Sequence, residues 1–400
     1  MDNIISQIQT LASQTDAAGR AKIQHALQQV LLDLESPYDS LMQLYNGYTR
    51  YAIFRVGIIS GLFRSLAQSQ SPLSVEQLAK QSGASPQLFE RIIRYLASNN
   101  LIEEIGQGQF RANRITHYLG SASAEGFSNV SYNFIDLAVK ALPEFLDETG
   151  FADITNSSRT PFQKVLNTNL SWFAWLADHP DKKEEFQQAM KSSQGGDWMA
   201  GFDEFEQGAL EAKCSSERVF FVDVAGGSGH RCIGVKDKYP SLEGRLVLQD
   251  LPEVVKELPE IQGVRIEAHN IFQEQTVKGA QFYYLSRILH DWPDDKCIQI
   301  LQNVRSAMVS DSRILINEII VPETNVPWQT ALADISVMVL LGGRERTRTQ
   351  WATLAERSGL RISHVHGYNT VTLESVLVLE LDPEFRPVLR FDHEQGVNRE

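Results

Sequence analysis

Residues 219–229 read Val-Phe-Phe-Val-Asp-Val-Ala-Gly-Gly-Ser-Gly, and this stretch decides the fold. Four apolar residues come first, followed by an acid, Asp223, and a turn that contains three glycines. An uninterrupted apolar run predicts a strand that is buried on both faces of a parallel sheet. Glycines let the chain turn tightly and let a ligand come close to the backbone. Because residues 230–239 predict the start of a helix, whose first amide groups would face that ligand, the stretch indicates a nucleotide-binding α/β domain.

The spacing of the glycines bears on which nucleotide would bind. A dinucleotide fingerprint would need a third glycine where Cys232 stands. The stretch fits better as acid-x-Gly-x-Gly-x-Gly, with Ala225 in place of the first glycine, and so resembles the first motif of S-adenosylmethionine-dependent methyltransferases. The next predicted strand leads into Asp250, an acid that can accept the protons of both ribose hydroxyls. An NAD site and a purely structural turn are the alternatives.

Composition and charge exclude several classes of protein. The chain has 400 residues, which is enough for two domains and a large core. A net charge of −13, from 37 basic and 50 acidic residues, argues against nucleic acid and anionic membranes as partners. Cys214, Cys232 and Cys297 are scattered, without metal-site or disulfide spacing, which favours a reducing compartment. With no leader-like N-terminus and no long apolar run, we expect a cytoplasmic protein.

The N-terminal part predicts a helical region with apolar stripes. Helical spacing predicts two helices over residues 4–35, the second capped by Asp16, and a further long helical stretch over 38–66. The stripes predict packing either on another subunit or on the same domain.

A compact pattern over residues 74–110 follows this region. Two capped helices and a hairpin succeed one another, which is the order of a winged helix. The second helix carries only Arg91 and Arg94, beside Glu90, and this argues against DNA binding.

Residues 125–205 predict mostly helix and are unusually aromatic. Most of these rings belong to a core, but some are expected to line a pocket for a flat ligand. The candidate substrate-binding residues here and later in the chain are Phe134, Trp172, Trp175, Trp198, Met338 and Asp291.

From residue 219 onward, strands and helices alternate regularly, which predicts a doubly wound, mostly parallel sheet of about seven strands. Asp294 is predicted to cap one of the intervening helices. The predicted strands are 219–224, 245–249, 264–268, 281–286, 313–320 and 374–381.

Three polar residues are expected to meet at the carboxyl edge of this sheet. His290 and Glu318 lie at the ends of neighbouring strands, and Glu345 lies on a glycine loop after a helix. An imidazole beside a carboxylate is an oriented general base. Each residue alone also has a structural explanation: a capping or core histidine, a solvated glutamate, and a surface ion pair between Glu345 and its neighbours Arg344 and Arg346.

Taken together, the chain resembles the small-molecule O-methyltransferases of the caffeate and flavonoid type and their relatives in fungal secondary metabolism. The resemblance extends to about residue 381. The motifs that carry it are VDVAGGSG (222–229), LQDLPEV (248–254), LHDWPDD (289–295), NEIIVP (317–322) and GGRERT (342–347).

The resemblance implies a role for each matching residue. His290 would be the base, held by Glu318 and Glu345, and Asp250 would bind the ribose. Asn270 stands where the family commonly has an aspartate that contacts adenine, and Ser286 stands where it often has a lysine. The implied S-adenosylmethionine site, without a metal, comprises Asp223, Gly226, Gly227, Gly229, Asp250, Leu251, Asn270, Ile271, Phe272, Ser286, Arg287 and Trp292.

The resemblance also implies an organisation: a Rossmann-like class I methyltransferase domain behind an N-terminal domain that forms a homodimer. We expect a helical and winged-helix dimerisation domain at 1–120, a helical region lining the substrate pocket at 121–205, the cofactor domain at 206–381 and a charged tail at 382–400. The expected reaction is methylation of a hydroxyl on an aromatic, polyketide or indole-alkaloid metabolite. The alternative is a pericyclic or other non-methylating enzyme that keeps the cofactor.

Overall fold

The computed structural model describes residues 2–192, 196–212 and 218–385. These residues form two compact units, one spanning Met1–Ala152 and Ser158–Gln194 and the other Asp153–Ser157 and Gly195–Glu400. Cys214 and positions 386–400 of the expected tail lie outside the described residues. None of the helices in the described part of the chain is long and apolar enough to cross a membrane.

The N-terminal unit begins with four helices, and the first three expose large apolar residues. The two predicted helices are confirmed, and the Asp16 side chain accepts the Gly19 N–H at 2.7 Å. The stretch predicted as one helix over 38–66 is two, because the chain leaves the helix at Ser60 and Gly61 takes a left-handed conformation with φ of 69°. The four are α1 (Asp2–Ser13), α2 (Ala17–Leu34), α3 (Pro37–Ile59) and α4 (Leu62–Gln68).

The winged-helix arrangement follows as the sequence predicts. Ser74 and Gln77 form a capping box at the start of the first helix, and Ser85 caps the second. A three-stranded antiparallel sheet with the order β1-β3-β2 completes the wing. Its elements are β1 (Leu73–Ser74), α5 (Val75–Ser82), α6 (Pro86–Ser98), β2 (Glu103–Gly106) and β3 (Gln109–Arg111).

The remaining helices of this unit pack around a cluster of aromatic rings. Phe134 and Trp172 are fully buried, with their ring centroids 4.8 Å apart in an edge-to-face contact. Trp175 is half-buried and stacks on His179 at 3.8 Å. Phe134 and Trp172 are therefore core residues of this unit. The helices are α7 (Arg114–Leu119), α8 (Ala122–Val130), a π-helical turn (Ser131–Ile135), α9 (Asp136–Thr149), α10 (Pro161–Leu166), α11 (Trp172–Ala177) and α12 (Pro180–Ser192).

The C-terminal unit is built on one sheet with the order β10-β11-β8-β7-β4-β5-β6, and the short strand β9 pairs with β8. The central strands are parallel, and β11 runs antiparallel to both of its neighbours. The strands are β4 (Phe221–Val224), β5 (Leu246–Asp250), β6 (Val264–Ala268), β7 (Phe282–Ser286), β8 (Arg313–Val321), β9 (Arg346–Thr347), β10 (Leu360–Gly367) and β11 (Glu374–Leu381).

Six of these strands match the predicted ones to within two residues, so the doubly wound sheet is confirmed. Strand β10 was not among the predicted strands. It lies at the edge of the sheet and has a register shift between Ile362 and His364. The helices of this unit are α13 (Asp203–Ala212), α14 (His230–Lys238), α15 (Pro252–Val255), α16 (Asp294–Arg305), α17 (Trp328–Leu341) and α18 (Arg348–Arg357).

Apolar layers cover both faces of the sheet, and two predictions are corrected there. Trp198 is 2% exposed and stacks on Tyr284 at 4.6 Å, so it fills the core rather than a pocket. Asp294 is the first residue of α16, whose N-cap is Pro293. The Asp294 carboxylate accepts from Arg346 at 2.8 Å, and it has no capping hydrogen bond.

Candidate active site

The glycine turn after β4 keeps its left-handed geometry although an alanine stands at its first position. Ala225 has φ of 57°, Gly227 56° and Gly229 76°. A left-handed alanine costs about 1–2 kcal/mol, which the surrounding structure must offset. Gly226 is required for a different reason, because a Cβ there would lie 2.4 Å from the Asp223 carboxylate.

Asp250 ties this turn to the end of the neighbouring strand β5. Its two carboxylate oxygens accept the N–H of Gly227 and the N–H of Leu251, each at 2.7 Å. Burial raises the pKa of Asp250, and these two hydrogen bonds oppose that effect. The acid predicted to bind ribose therefore lies beside the glycine turn, as expected.

Asp223 lies beneath the turn with a carboxylate oxygen, Oδ2, that has no hydrogen-bond partner. Burial raises its pKa to about 7, while the charge of Arg231 acts in the opposite direction. Arg231 is in the first turn of α14, and its Nε atom is also buried without a partner. Sequence reasoning missed Arg231, although its position directly after the glycine motif and His230 was the available signal.

The segment after β6 packs along α16. Asn270 accepts the Phe272 N–H at 3.0 Å, and Asn303 of α16 donates to the Ile271 carbonyl at 3.0 Å. The Phe272 ring meets Trp292 edge to face at 4.9 Å. The structure thus brings four of the predicted cofactor residues into one group.

His290 lies on a single 3-10 turn, Leu289–Asp291, and both of its ring nitrogens face carboxylates. The Nδ1 atom is 2.9 Å from Glu345 Oε1, and the Nε2 atom is 3.2 Å from Asp291 Oδ1. Glu318 Oε2 is farther from Nδ1, at 3.7 Å. The predicted trio therefore meets at the edge of the sheet, and Asp291 joins it.

The two glutamates have different tasks in this geometry. Glu345 makes the hydrogen bond that orients the ring. Glu318 instead points one oxygen at the backbone and accepts N–H groups from Ile288 at 3.0 Å, Leu289 at 3.0 Å and His290 at 3.4 Å. Its main role is to fix the turn on which the histidine lies.

The loop after α17 presses against the same turn. A Cβ at Gly343 would lie 2.0 Å from the His290 carbonyl oxygen, so only glycine fits there. The Arg344 N–H donates to that carbonyl at 2.9 Å, and the Glu345 N–H donates to Asp334 at 2.8 Å. The paired glycines of the motif were a signal for this close approach.

Arg346 is only 1% exposed, which argues against the alternative of a surface ion pair with Glu345. Its guanidinium donates to the carbonyls of Leu289 at 3.0 Å and Trp292 at 2.8 Å, and to Asp294 at 2.8 Å. Arg344, in contrast, pairs with Asp153 at 3.4 Å near the surface. Neither arginine thus forms its ion pair with Glu345, and the carboxylate of Glu345 binds His290 instead.

The charges around His290 favour its protonated form. Burial alone would lower the pKa of His290, but Glu318, Glu345 and Asp291 outweigh it and raise the pKa to about 9. Burial raises the pKa of Asp291 to about 7. The cation Arg287 follows β7 with an unusual φ of 58° and lies 3.8 Å from Glu374. Ser286 lies beside it, 3.3 Å from the Asn317 amide.

Family models match most of the chain. The model of the O-methyltransferase domain matches residues 149–361, and that of the O-methyltransferase dimerisation domain matches residues 42–119. The demethylsterigmatocystin 6-O-methyltransferase of Aspergillus flavus is 34% identical over 370 residues, covering 92% of this chain and 95% of that protein. The O-methyltransferase lepI of the same species is 36% identical over 379 residues, covering 94% and 97%.

The chain belongs to the S-adenosylmethionine-dependent O-methyltransferase family of fungal secondary metabolism. Two solved structures, of LepI in complex with S-adenosylmethionine and of a protein described as a pericyclic reaction enzyme, each have a TM-score of 0.87 with this chain. Each is 35% identical to it and covers 95% of this chain and 98% of its own.

This methyltransferase therefore uses S-adenosylmethionine without a metal ion and forms a homodimer through its N-terminal dimerisation domain. Features of the C-terminal unit fit that cofactor. Among the described residues, Oδ2 of Asp223 is buried without a hydrogen-bond partner, and apart from Gly227 and its two chain neighbours none has a heavy atom within 4 Å of where a Cβ on Gly227 would be. The apolar residues exposed on α1 to α3 suit the dimer and include Ile4, Leu11, Leu27, Val30, Leu31, Leu41 and Tyr45.

Proposed function

We propose that this methyltransferase acts on a hydroxyl group of an aromatic, polyketide or indole-alkaloid metabolite, with His290 as the general base. One observation carries the proposal: Glu345 holds Nδ1 of a buried imidazole at 2.9 Å, so that Nε2 is the atom left for chemistry. A base oriented in this way is worth roughly 10²–10⁴ in rate.

The reaction moves one proton and one methyl group. S-adenosylmethionine supplies an electrophilic methyl on a sulfonium centre. The acceptor oxygen would attack that methyl in line as the carbon–sulfur bond breaks, so that S-adenosylhomocysteine leaves with the electron pair, and the acceptor proton would pass to His290 Nε2. Asp291 Oδ1 lies 3.2 Å from this nitrogen, which is hydrogen-bonding distance, so the acceptor hydroxyl would replace Asp291 as the partner of Nε2. Glu345 then stabilises the imidazolium that forms, and Glu318 keeps the turn in place.

The protonation state of His290 sets the pH at which this base works. With a pKa raised to about 9, His290 is mostly an imidazolium at neutral pH in the free enzyme. A cation bound nearby would disfavour that charge and release the proton. We therefore expect the neutral, active form to become more populated when the positively charged cofactor is bound.

Cofactor binding is assigned to the group beside the glycine turn. Asp250 would accept the ribose hydroxyl protons, and Asn270 would face adenine. Asp223 and Arg231 suit the zwitterionic tail of the cofactor, the carboxylate facing the ammonium and the guanidinium facing the carboxylate. Their two unpartnered buried atoms, Oδ2 and Nε, support this assignment.

The acceptor class is supported by the relatives and by the residues near the base. One relative, 34% identical, is named for the 6-O-methylation of demethylsterigmatocystin. Within the C-terminal unit, Asp291 beside the base and Met338, half-buried on α17, remain candidates for contact with the acceptor. The assignment of Trp175 to substrate binding stays a prediction. We also propose a cytoplasmic location, which the buried free thiols of Cys232 and Cys297 support.

A second candidate is pericyclic or other non-methylating chemistry with the cofactor retained. It is favoured by the 35% identical structure described as a pericyclic reaction enzyme. The His290, Glu318 and Glu345 set favours methyl transfer instead, because a pericyclic rearrangement requires no oriented base for a departing proton.

One experiment separates the two functions. The protein is incubated with trideuteromethyl S-adenosylmethionine and an extract of fungal secondary metabolites, and the products are compared by mass spectrometry for wild type and His290→Ala. Methyl transfer predicts a product that carries the deuterated methyl with wild type and about 10²–10⁴-fold less of it with the variant. An unlabelled product that accumulates with wild type alone would favour the second candidate. If His290→Ala forms as much deuterated product as wild type, His290 is not the general base.

A further inference from the structure

We infer that Arg346 is a positioning residue that locks the acid Glu345 to the base His290 by holding the backbone of the turn on which His290 lies. The inference rests on the proposed function, since it assigns the base to His290. Arg346 directly follows Glu345 in the chain, and its side chain reaches the far side of the histidine turn.

The contacts of Arg346 span the histidine turn. Leu289 precedes His290 and Trp292 follows Asp291, and the carbonyls of both accept from the same guanidinium, at 3.0 and 2.8 Å. Asp294 Oδ1 accepts twice more, from Nε at 3.0 Å and Nη2 at 2.8 Å. One planar cation thus fixes the turn and the start of α16 together.

Other bonds complete the connection between the two segments. The Arg344 N–H donates to the His290 carbonyl at 2.9 Å, and Glu318 accepts the N–H groups that point away from the loop. The backbone of the turn is therefore held through its N–H groups by Glu318 and through its carbonyls by residues 344 and 346. The Cys297 thiol also donates to the carbonyls of Leu289 and Trp292, at 3.1 and 3.3 Å, but as a weak donor. The separation of 2.9 Å between Glu345 and the histidine ring depends on this register.

Burial makes Arg346 hard to replace. It is 1% exposed, and its guanidinium also lies 5.3 Å from the centre of the Trp351 ring. Lysine would keep the positive charge, but a single ammonium lacks the planar fork that reaches two carbonyls and a carboxylate at once. Arg346→Lys therefore tests the hydrogen bonds that position the turn while the positive charge is kept.

Arg218 provides a matched control within the same unit. Its guanidinium also holds two backbone carbonyls and one carboxylate: Gly279 at 2.7 Å, Ala280 at 3.3 Å and Asp311 at 2.6 Å. These contacts lie before the amino ends of β4 and β7, at the opposite edge of the sheet from His290. Arg218→Lys removes the same kind of contact without touching the histidine turn.

The first measurement needs no acceptor. Protein labelled with ¹⁵N-histidine is titrated by NMR, and the His290 signals are identified by their loss in His290→Gln. Around the ring lie Glu318 on β8, Glu345 after α17, Asp291 on the turn itself and Arg287 after β7. If Arg346→Lys loosens the contact between Glu345 and His290, the titration midpoint of His290 falls. A variant that only lost the positive charge of Arg346 would instead raise this midpoint. Arg218→Lys leaves it unchanged.

The second measurement uses the acceptor that takes the deuterated methyl. Because a displacement of about 1 Å can cost 10²-fold in rate, Arg346→Lys is expected to lower kcat by about 10–10²-fold. Affinity for S-adenosylhomocysteine, measured by calorimetry, should stay within about 2-fold of wild type. Added guanidinium should restore part of the activity of Arg346→Ala, and methylammonium should not.

The outcomes decide the inference in either direction. A lowered midpoint, a lowered kcat and rescue by guanidinium support it. An unchanged midpoint and unchanged kcat in Arg346→Lys overturn it, as does a loss of cofactor affinity equal to the loss of kcat, which would indicate a merely structural role. If Arg346→Ala does not fold, the lysine variant still decides. Failure of the proposed function would appear separately, as full activity of His290→Ala.

Discussion

The Glu345→Gln variant tests most directly how the site controls its base. In the wild-type protein Glu345 accepts from His290 Nδ1 at 2.9 Å and helps to raise the pKa of His290 to about 9. A hydrogen bond to a charged group is worth about 1.5–3 kcal/mol, and one pKa unit corresponds to about 1.4 kcal/mol. Because the amide no longer stabilises the imidazolium, the pKa should fall by about 1–2 units.

This shift has opposite effects on the rate at different pH values. At pH 7 only about 1% of a histidine with a pKa near 9 is neutral, and a pKa lower by about 1–2 units increases that fraction by about 10–50-fold. The same 1.5–3 kcal/mol is lost from the transition state, in which the imidazolium forms, so each neutral histidine is slower by about 10–10²-fold. The variant should therefore approach wild-type activity at pH 7 and be about 10–10²-fold slower above pH 9.

Two measurements follow the prediction. The pH dependence of kcat/KM is compared for wild type and Glu345→Gln, and NMR titration of ¹⁵N-histidine gives the midpoint of His290 in each. Glu374→Gln is the control, since Glu374 faces Arg287 at 3.8 Å and is not among the groups that raise the pKa of His290. A variant whose midpoint stays near 9, with a pH profile parallel to that of wild type, would refute the reasoning.

Further predictions concern the cofactor, the turn and the dimer. Asp250→Ala should weaken S-adenosylhomocysteine binding by about 10²-fold or more in calorimetry, because two ribose hydroxyls lose their acceptor; equal affinity would remove Asp250 from the site. Arg231→Gln should weaken S-adenosylhomocysteine by about 10-fold or more but leave 5′-methylthioadenosine, which lacks the amino-acid tail, unaffected; an equal loss for both ligands would contradict the tail assignment. Glu318→Ala should lower the free energy of unfolding by about 3 kcal/mol or more, since three N–H groups lose their acceptor, whereas Glu318→Gln should cost less in urea denaturation because its amide oxygen still accepts. The double variant Leu27→Asp/Leu31→Asp should shift the mass in light scattering towards the 45.0 kDa of one chain, and an unchanged dimer would place the interface elsewhere.

Sequence alone could predict the sheet and the residues at its edge. Phe221 and Val222 of the apolar run lie in β4 together with Asp223, and the Asp223 carboxylate lies against Gly226 of the glycine turn, as the pattern requires. His290, Glu318 and Glu345 meet because parallel strands share one carboxyl edge and the loop after α17 returns to it. The pattern of apolar residues and the order of the strands along the chain are enough to predict this meeting point, without knowledge of side-chain geometry.

The division of work within the site could not be predicted from residue types. Two glutamates near a histidine look equivalent in sequence, yet one orients the ring and the other holds the backbone. A surface ion pair with Glu345 was the alternative explanation for Arg346, because charged side chains are mostly exposed. The burial of Arg346 depends on the backbone carbonyls of Leu289 and Trp292, which accept its hydrogen bonds. The direction of a backbone carbonyl cannot be read from residue types.

The groups of the site that can bind a proton help to distinguish methyl transfer from a pericyclic reaction. Transfer of a methyl from a sulfonium to a hydroxyl releases one proton, which the protein must hold at the moment of reaction, while a pericyclic rearrangement releases none. His290, with a pKa of about 9, and Asp291, with a pKa of about 7, lie 3.2 Å apart. Burying such a pair costs desolvation free energy, which the opposite charges and hydrogen bonds around it offset. The cluster of Glu318, Glu345 and the arginine-held turn maintains that pair, and this arrangement favours methyl transfer over the non-methylating alternative.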